Sequence, residues 1–419
     1  MNIEKFLSDR FGMFIHWGVY SVPARGEWIR SHEKISNEDY QKYVEEFNPT
    51  NYNPKKWAKI AKNAGMKYAV MTAKHHDGYC LFNSKYTDYS SEFYLGRDLI
   101  KEYVDAFREE GIQIGIYYSL IDWYHKDYPA YNDLQHPMRD NKDYSHYNIE
   151  CYVNYLHNQV EELLTNYGKI DILWFDFSYN NPEGLPNMKG ETWRATELVE
   201  KIRKLQPDII INNRLGGDMR LDNPEIYAGD FTSPEQIIPA KGMLNNKGQI
   251  LPWESCVTID NSWAYSTRSN DYKSSKTIIR TLVECVSKNG NLLLNVGPNA
   301  KGEIPKKSIK VLNEVGEWLK ENGESIYNCK SSDLERPEWG RYTQNGKKLY
   351  AHILDRGIGP ICLLGLEGKI KKARFLHDKS EVKIDRPWHV SKSPNDAFLI
   401  IPSYELYDDK DTVIEIELL

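Results

Sequence analysis

Residues 170–176, Ile-Asp-Ile-Leu-Trp-Phe-Asp, follow a helix-ending glycine at position 168 and read as a buried β-strand. Ile170, Ile172, Leu173, Trp174 and Phe175 form a near-continuous apolar run. Alternation along a strand puts Trp174 and Asp176 on one face. The strand ends on that acid. A carboxylate at the exit of a buried strand is costly without partners, so Asp176 either caps the following loop or does chemistry.

Working outward, strand-like runs alternate with amphipathic helices. Upstream lie strands at 11–18 (FGMFIHWG), 68–74 (YAVMTAK) and 112–119 (IQIGIYYS). Between them, helices are expected over 55–64, 98–110 and 152–167, with Pro54 at one start and Gly65 and Gly111 at two ends. Downstream come a helix at 196–205, a strand at 209–214 (IIINNR) and a longer irregular region. A helix at 274–288, a strand at 291–296 (NLLLNV) and a helix near 308–320 complete the pattern. Alternation of this kind implies an α/β fold with a parallel sheet. Over ~300 residues the closed form is a (β/α)8-type, TIM-like barrel. A doubly wound open sheet is the alternative, but no G-x-G-x-x-G or Walker loop follows the first strand. Beyond Gly323 the pattern changes to short alternating runs at 348–354, 361–364, 373–376, 398–401 and 413–419. The expected organisation is a catalytic barrel over 1–325 and a C-terminal antiparallel β-sandwich over 326–419.

A length of 419 residues fits one large and one small domain. The net charge of −6 argues against nucleic acid and against an anionic membrane surface as partners. Six scattered cysteines with no C-x-x-C pair make neither a zinc framework nor a disulfide scaffold. The N-terminus has no apolar h-region, and no stretch approaches the ~20 apolar residues of a membrane span, so the chain as written is expected to be cytoplasmic. The 29 tyrosines and 11 tryptophans hint at sugar-stacking surfaces, although large cores use them too.

The strand ends collect polar residues: His16-Trp17, His75-His76-Asp77, Tyr117-Tyr118-Ser119, Asp176, Asn212-Asn213-Arg214 and Asn295. In a barrel these ends surround one cavity. Adjacent histidines on a strand point to opposite faces, and no other His or Cys cluster has ligand spacing, so no metal is expected. The better reading is neutral donors and acceptors around a polyhydroxylated ligand, with Arg214 a donor fork, Glu27 an acceptor, and Trp28 and Trp174 ring faces. No G-x-S-x-G elbow is present. Carboxylates remain: Asp176 is fixed, and a partner is expected on a flexible loop, from Asp230, Glu235 or Glu254. A spacing of about 5–5.5 Å would mark a retaining glycosidase, ~6.5–9.5 Å an inverting one.

RFGMFIHWGVYSVPARGEW (10–28), TAKHHDGYCLFNS (72–84), YYSLIDW (117–123) and LWFD (173–176) resemble the α-L-fucosidases of glycoside hydrolase family 29. So do NNRLGGD (212–218), GDFTSPEQ (229–236), WESC…SWAY (253–265) and NLLLNVGP (291–298), in the family's order. The resemblance implies a barrel followed by a β-sandwich, and a retaining exo-hydrolase acting on terminal α-L-fucose of fucosylated glycans, with no metal or cofactor. It implies Asp176 as nucleophile and Glu235 as acid/base ahead of Glu254 and Asp230. The sugar-binding positions it implies are His16, Glu27, Trp28, His75, His76, Tyr117, Trp174 and Arg214. Phe177, Leu215 and Ala264 stand where the family often has Gly, Trp and Gly, which bears on substrate preference. An enzyme for a related α-L-glycoside such as α-L-galactoside and a non-catalytic carbohydrate-binding barrel are the alternatives. Homo-oligomerisation is left open.

Overall fold

The computed structural model describes residues 2–181, 187–388, 390, 393–402 and 406–419. Seven strands form one parallel sheet: β1 (Phe11–Ile15), β2 (Tyr68–Lys74), β3 (Gln113–Ser119), β4 (Ile172–Asp176), β5 (Ile210–Ile211), β6 (Glu254–Thr258) and β7 (Asn291–Val296). Their order is β5-β4-β3-β2-β1-β7-β6. Helices return the chain between most of the strands, and several start on side-chain caps. Asp98 accepts from the Lys101 N–H before helix Leu99–Glu109, and Asn148 accepts from Glu150 and Cys151 before Ile149–Thr165. The apolar stripe Leu99, Ile100, Tyr103, Val104 and Phe107 then packs on the sheet's outer face.

The period-two alternation divides the core in two. Phe14, Tyr68, Tyr117, Ile172, Trp174 and Leu293 fill the concave side, while Met13, Ile15, Leu173 and Phe175 meet the helices. Helix Ile3–Asp9 closes the barrel floor, setting the Phe6 ring against Tyr68 and Phe231 at 5.3 and 4.8 Å. Gly12 makes room for Tyr68: a Cβ there would lie 2.3 Å from that ring.

The edge strands β5 and β6 do not pair directly. Residues 230–236 run between them as an irregular stave. The Asp230 N–H donates to Ile211 (2.7 Å), and Asn212 bridges Phe231. On the other side Thr232, Pro234 and Gln236 exchange backbone bonds of 2.9–3.1 Å with Pro252, Glu254 and Cys256. This closes the ring expected of a TIM-like barrel, in place of an open doubly wound sheet. Two details differ from the sequence reading. The strand expected at 209–214 has only two residues, because Asn212 uses its side chain to bond both Phe175 N and O (2.9 Å each) in place of a ladder. Strand β6 fell in the region read as irregular, since its Glu-Ser-Cys-Val-Thr carries no apolar alternation.

After helix Lys306–Asn322 the chain forms two antiparallel sheets. One comprises β8 (Lys330–Ser331), β9 (Gly340–Asn345), β10 (Lys348–Ile353), β12 (Ile370–Phe375) and β15 (Thr412–Leu418). The other comprises β11 (Ile361–Leu363), β13 (Lys383–Ile384) and β14 (Ala397–Ile400). Leu349, Ile353 and Ile414 from the first and Leu363 and Leu399 from the second share one core, which makes a sandwich. It docks on the barrel through Trp318 Nε1 to the Asp411 carbonyl (3.1 Å) and Thr343 Oγ1 to the Ser325 carbonyl (2.6 Å). Among the described residues no helix is long and apolar enough to cross a membrane.

Candidate active site

The C-terminal ends of the strands surround a cavity of about 380 Å³, and all ten residues singled out in the sequence line it: His16, Glu27, Trp28, His75, His76, Tyr117, Trp174, Asp176, Arg214 and Glu235. Register explains how. Trp174 lies opposite Tyr117 and Asp176 opposite Ser119, so alternate residues of β4 and β3 rise together toward the mouth.

Asp176 does not cap the next loop with its side chain. Its Oδ1 accepts from Arg214 Nη1 at 2.7 Å and its Oδ2 from the Tyr117 hydroxyl at 2.8 Å. Burial and the adjacent Asp176 charge raise Tyr117 well above the ordinary phenol range, which keeps it an O–H donor. Arg214 also reaches Glu235, Nη2 to Oε2 at 2.9 Å, so one guanidinium spans both carboxylates. Burial works against that cation, but Asp176, Cys256 and Glu235 together raise it above its ordinary value. The guanidinium lies 4.5 Å over the Trp174 ring, which fixes its plane.

Glu235 sits on the irregular stave 230–236, not on a free loop. Its neighbours Pro234 and Gln236 are both bonded to Cys256, so its side chain projects from backbone tied to β6 while remaining 42% exposed. The other two acids considered lie elsewhere. Asp230 is held by Arg203 (2.6 Å) and the Ile211 N–H (2.8 Å). Glu254 is wholly buried inside the barrel, accepting from the Tyr68 hydroxyl (2.5 Å) and Trp174 Nε1 (3.3 Å), and burial pushes its carboxyl up to about 7. It does not line the cavity, although Trp174, which does, donates to it.

The histidines correct one expectation. β2 ends at Lys74, and a turn follows in which the Gly78 N–H donates to the His75 carbonyl (3.0 Å). His75 and His76 are therefore not on opposite faces of a strand. Both face the cavity, with ring centroids 4.0 Å apart. Among the described residues no group of three His, Cys, Asp or Glu is placed to hold a metal ion. Burial lowers His16 to about 4 and His75 and His76 well below the ordinary imidazole range, so all three are neutral near pH 7. Burial also raises Glu27, opposed by a backbone N–H from Ala264 at 3.0 Å.

Three lining residues were not singled out, Phe14, Cys256 and Trp263, and Phe177 was named only as a departure from the family's pattern. Phe14 was within reach of the alternation rule, two residues before His16 on β1. Cys256 lies on the unrecognised β6, and Trp263 on a loop with no periodicity. Phe177 is held at φ +77°, a left-handed conformation unusual for a bulky residue, with its ring against Trp28 (5.1 Å) and His76 (4.9 Å).

A sequence model of the family "Alpha-L-fucosidase" matches residues 2–324. An alpha-L-fucosidase of Dictyostelium discoideum is 32% identical over 349 residues, covering 76% of this chain and 70% of that protein. The solved structure of alpha-L-fucosidase isoenzyme 1 from Paenibacillus thiaminolyticus superposes with a TM-score of 0.97 at 60% identity, covering 100% of this chain and 98% of that one. An alpha-L-fucosidase of glycoside hydrolase family 29 from Bacteroides thetaiotaomicron, solved as a covalent intermediate trapped with 2-fluoro-fucosyl fluoride, superposes at 0.83 with 26% identity, covering 99% and 95%.

Proposed function

The chain belongs to the α-L-fucosidase family, and from that premise we propose how its residues carry the reaction. The enzyme is a retaining exo-glycosidase that releases terminal α-L-fucose by double displacement. Asp176 is the nucleophile and Glu235 the general acid/base in our reading. The observation that carries these roles is the single guanidinium of Arg214 bonded to both carboxylates across the cavity.

In the first step a carboxylate oxygen of Asp176 attacks the anomeric carbon as the glycosidic bond breaks. Glu235, in its acid form, gives its proton to the departing oxygen. Two donors already bind Asp176, one on each oxygen, so the attacking oxygen is oriented before substrate arrives. Once Asp176 is esterified, its negative charge is gone and Arg214 is left with Glu235 as its carboxylate partner. That favours the carboxylate form, which a base needs. Glu235 then takes a proton from water, the water oxygen attacks the anomeric carbon, and the ester bond breaks to return Asp176 and fucose. Neutral His16, His75 and His76 with buried Glu27 suit the sugar hydroxyls. Phe14, Trp174 and Trp263 supply the apolar surface that a 6-deoxy sugar requires.

Asp176→Ala tests the assignment. Turnover of an aryl α-L-fucoside should fall by ~10⁴-fold or more, and added azide should restore cleavage with β-L-fucosyl azide as product. A folded Asp176→Ala protein with near-normal turnover would overturn it.

A further inference from the structure

A neutral imidazole carries one N–H, and its position decides whether the ring gives a hydrogen bond to a sugar hydroxyl or takes one. Two of the three cavity histidines have neighbours that settle this. Asn295, on β7, donates its Nδ2 to the Trp263 carbonyl at 2.6 Å. That turns the amide oxygen toward His16 Nδ1, 2.7 Å away. An amide oxygen only accepts, so the His16 proton sits on Nδ1. Ser119, at the end of β3, spends its hydroxyl hydrogen on the Ile121 carbonyl at 2.7 Å. Its oxygen therefore faces His76 Nδ1 (2.7 Å) as an acceptor, and the His76 proton also sits on Nδ1. Among the described residues neither Nε2 has a hydrogen-bond partner, and that of His76 stands 3.9 Å from Asp176 Oδ2. His75 differs: its Nδ1 is buried with no partner, so no neighbour sets its tautomer.

We propose that Asn295 and Ser119 are positioning residues that lock His16 and His76 as Nδ1–H tautomers, so that each presents a bare Nε2 which accepts one hydroxyl of the sugar. The locks lie outside the cavity lining and on different strands, and each is oriented by a backbone carbonyl of its own. The pattern is that of metal-binding histidines, where the partner of the distal nitrogen sets what the other can do. Here it discriminates between hydroxyl donors and acceptors. The identity of the sugar rests on the reading above; the tautomers do not.

The test has two arms. In the free enzyme labelled with ¹⁵N-histidine, long-range ¹H–¹⁵N spectra assigned with His16→Gln and His76→Gln should show Nδ1–H tautomers for both rings at neutral pH. An Nε2–H pattern for either overturns the proposal even if the enzyme is a fully active fucosidase. In the second arm, kcat/KM is measured on aryl α-L-fucosides lacking one hydroxyl each. The wild type should lose roughly tenfold or more at two positions. Ser119→Ala should abolish the loss at one of them, Asn295→Ala at the other, and Ser119→Thr should restore the wild-type pattern. Losses in both alanine variants that match the wild type would overturn the positioning role. Absence of fucosidase activity would instead strike the reading beneath it, and leave the spectra to decide the tautomers.

Discussion

The floor and the mouth of the barrel are built from the same strands, and both hold carboxylates, yet they treat them in opposite ways. At the floor, Glu254 is sealed between Tyr68 and Trp174, Asn291 Nδ2 donates to the Phe6 carbonyl and the Phe6 ring closes the space beneath, so this carboxylate faces no cavity, and Asn291 Oδ1 is buried without a partner among the described residues. At the mouth, Asp176 and Glu235 share one cation, and neutral histidines leave ring nitrogens without partners. Burial alone therefore does not mark a catalytic acid. Glu254 is the more buried, and the mechanism we propose gives it no part. What separates the two is access: Glu254 is enclosed by protein donors, whereas Asp176 and Glu235 line a cavity that a ligand can enter.

Four substitutions press on that contrast. The largest effect belongs to the mouth. Glu235→Ala should lower kcat/KM on fucosides with poor leaving groups by ~10²–10⁴-fold and on activated aryl fucosides by much less. If Glu254→Ala reproduces that dependence on the leaving group and Glu235→Ala does not, the contrast collapses. At the floor, Phe6→Ala should cost about 3–5 kcal/mol of stability, read by denaturant unfolding, with kcat little changed. A large loss of kcat at preserved stability would mean that floor and mouth are coupled.

The smallest effect is the most diagnostic. Glu254 is raised from its ordinary value to about 7 by burial, so the folded protein holds its proton more tightly than the unfolded chain does. Stability from this group is complete at low pH and is lost as pH rises from about 4.5 through 7. Glu254→Gln should remove that slope, leaving the variant more stable than wild type by roughly 2–3 kcal/mol at pH 8 and close to it at pH 4. Melting curves across pH give the answer, and a variant no more stable at pH 8 would show that the Tyr68 and Trp174 donors suffice to hold the charged form.

Much of this was legible in the chain. The alternation of apolar strands and amphipathic helices gave the barrel, and the polar strand ends gave six of the fourteen cavity residues, His16, His75, His76, Tyr117, Asp176 and Arg214, because side-chain alternation and strand-end position both have sequence signatures. The stave 230–236 had none. It pairs through isolated bridges, and its Pro234 and Gly229 read as loop, so Glu235 could be weighed only as a loop residue. Glu254 looked equally loop-like in PWESC because β6 (Glu-Ser-Cys-Val-Thr) has no apolar alternation. The side-by-side placement of His75 and His76 depended on where β2 stops, which alternation alone does not define.

Phe177 joins Asp176, the nucleophile of the mechanism we propose, to everything after it. A bulky residue in the left-handed region costs of order 1–3 kcal/mol. Its ring cannot return to ordinary backbone angles without leaving its place between Trp28 and His76. The aim of the Asp176 carboxylate is thus set from both sides, by the hydrogen bonds in front of it and by a tensioned hinge behind. The position thus spends backbone stability on the placement of a ring beside the cavity.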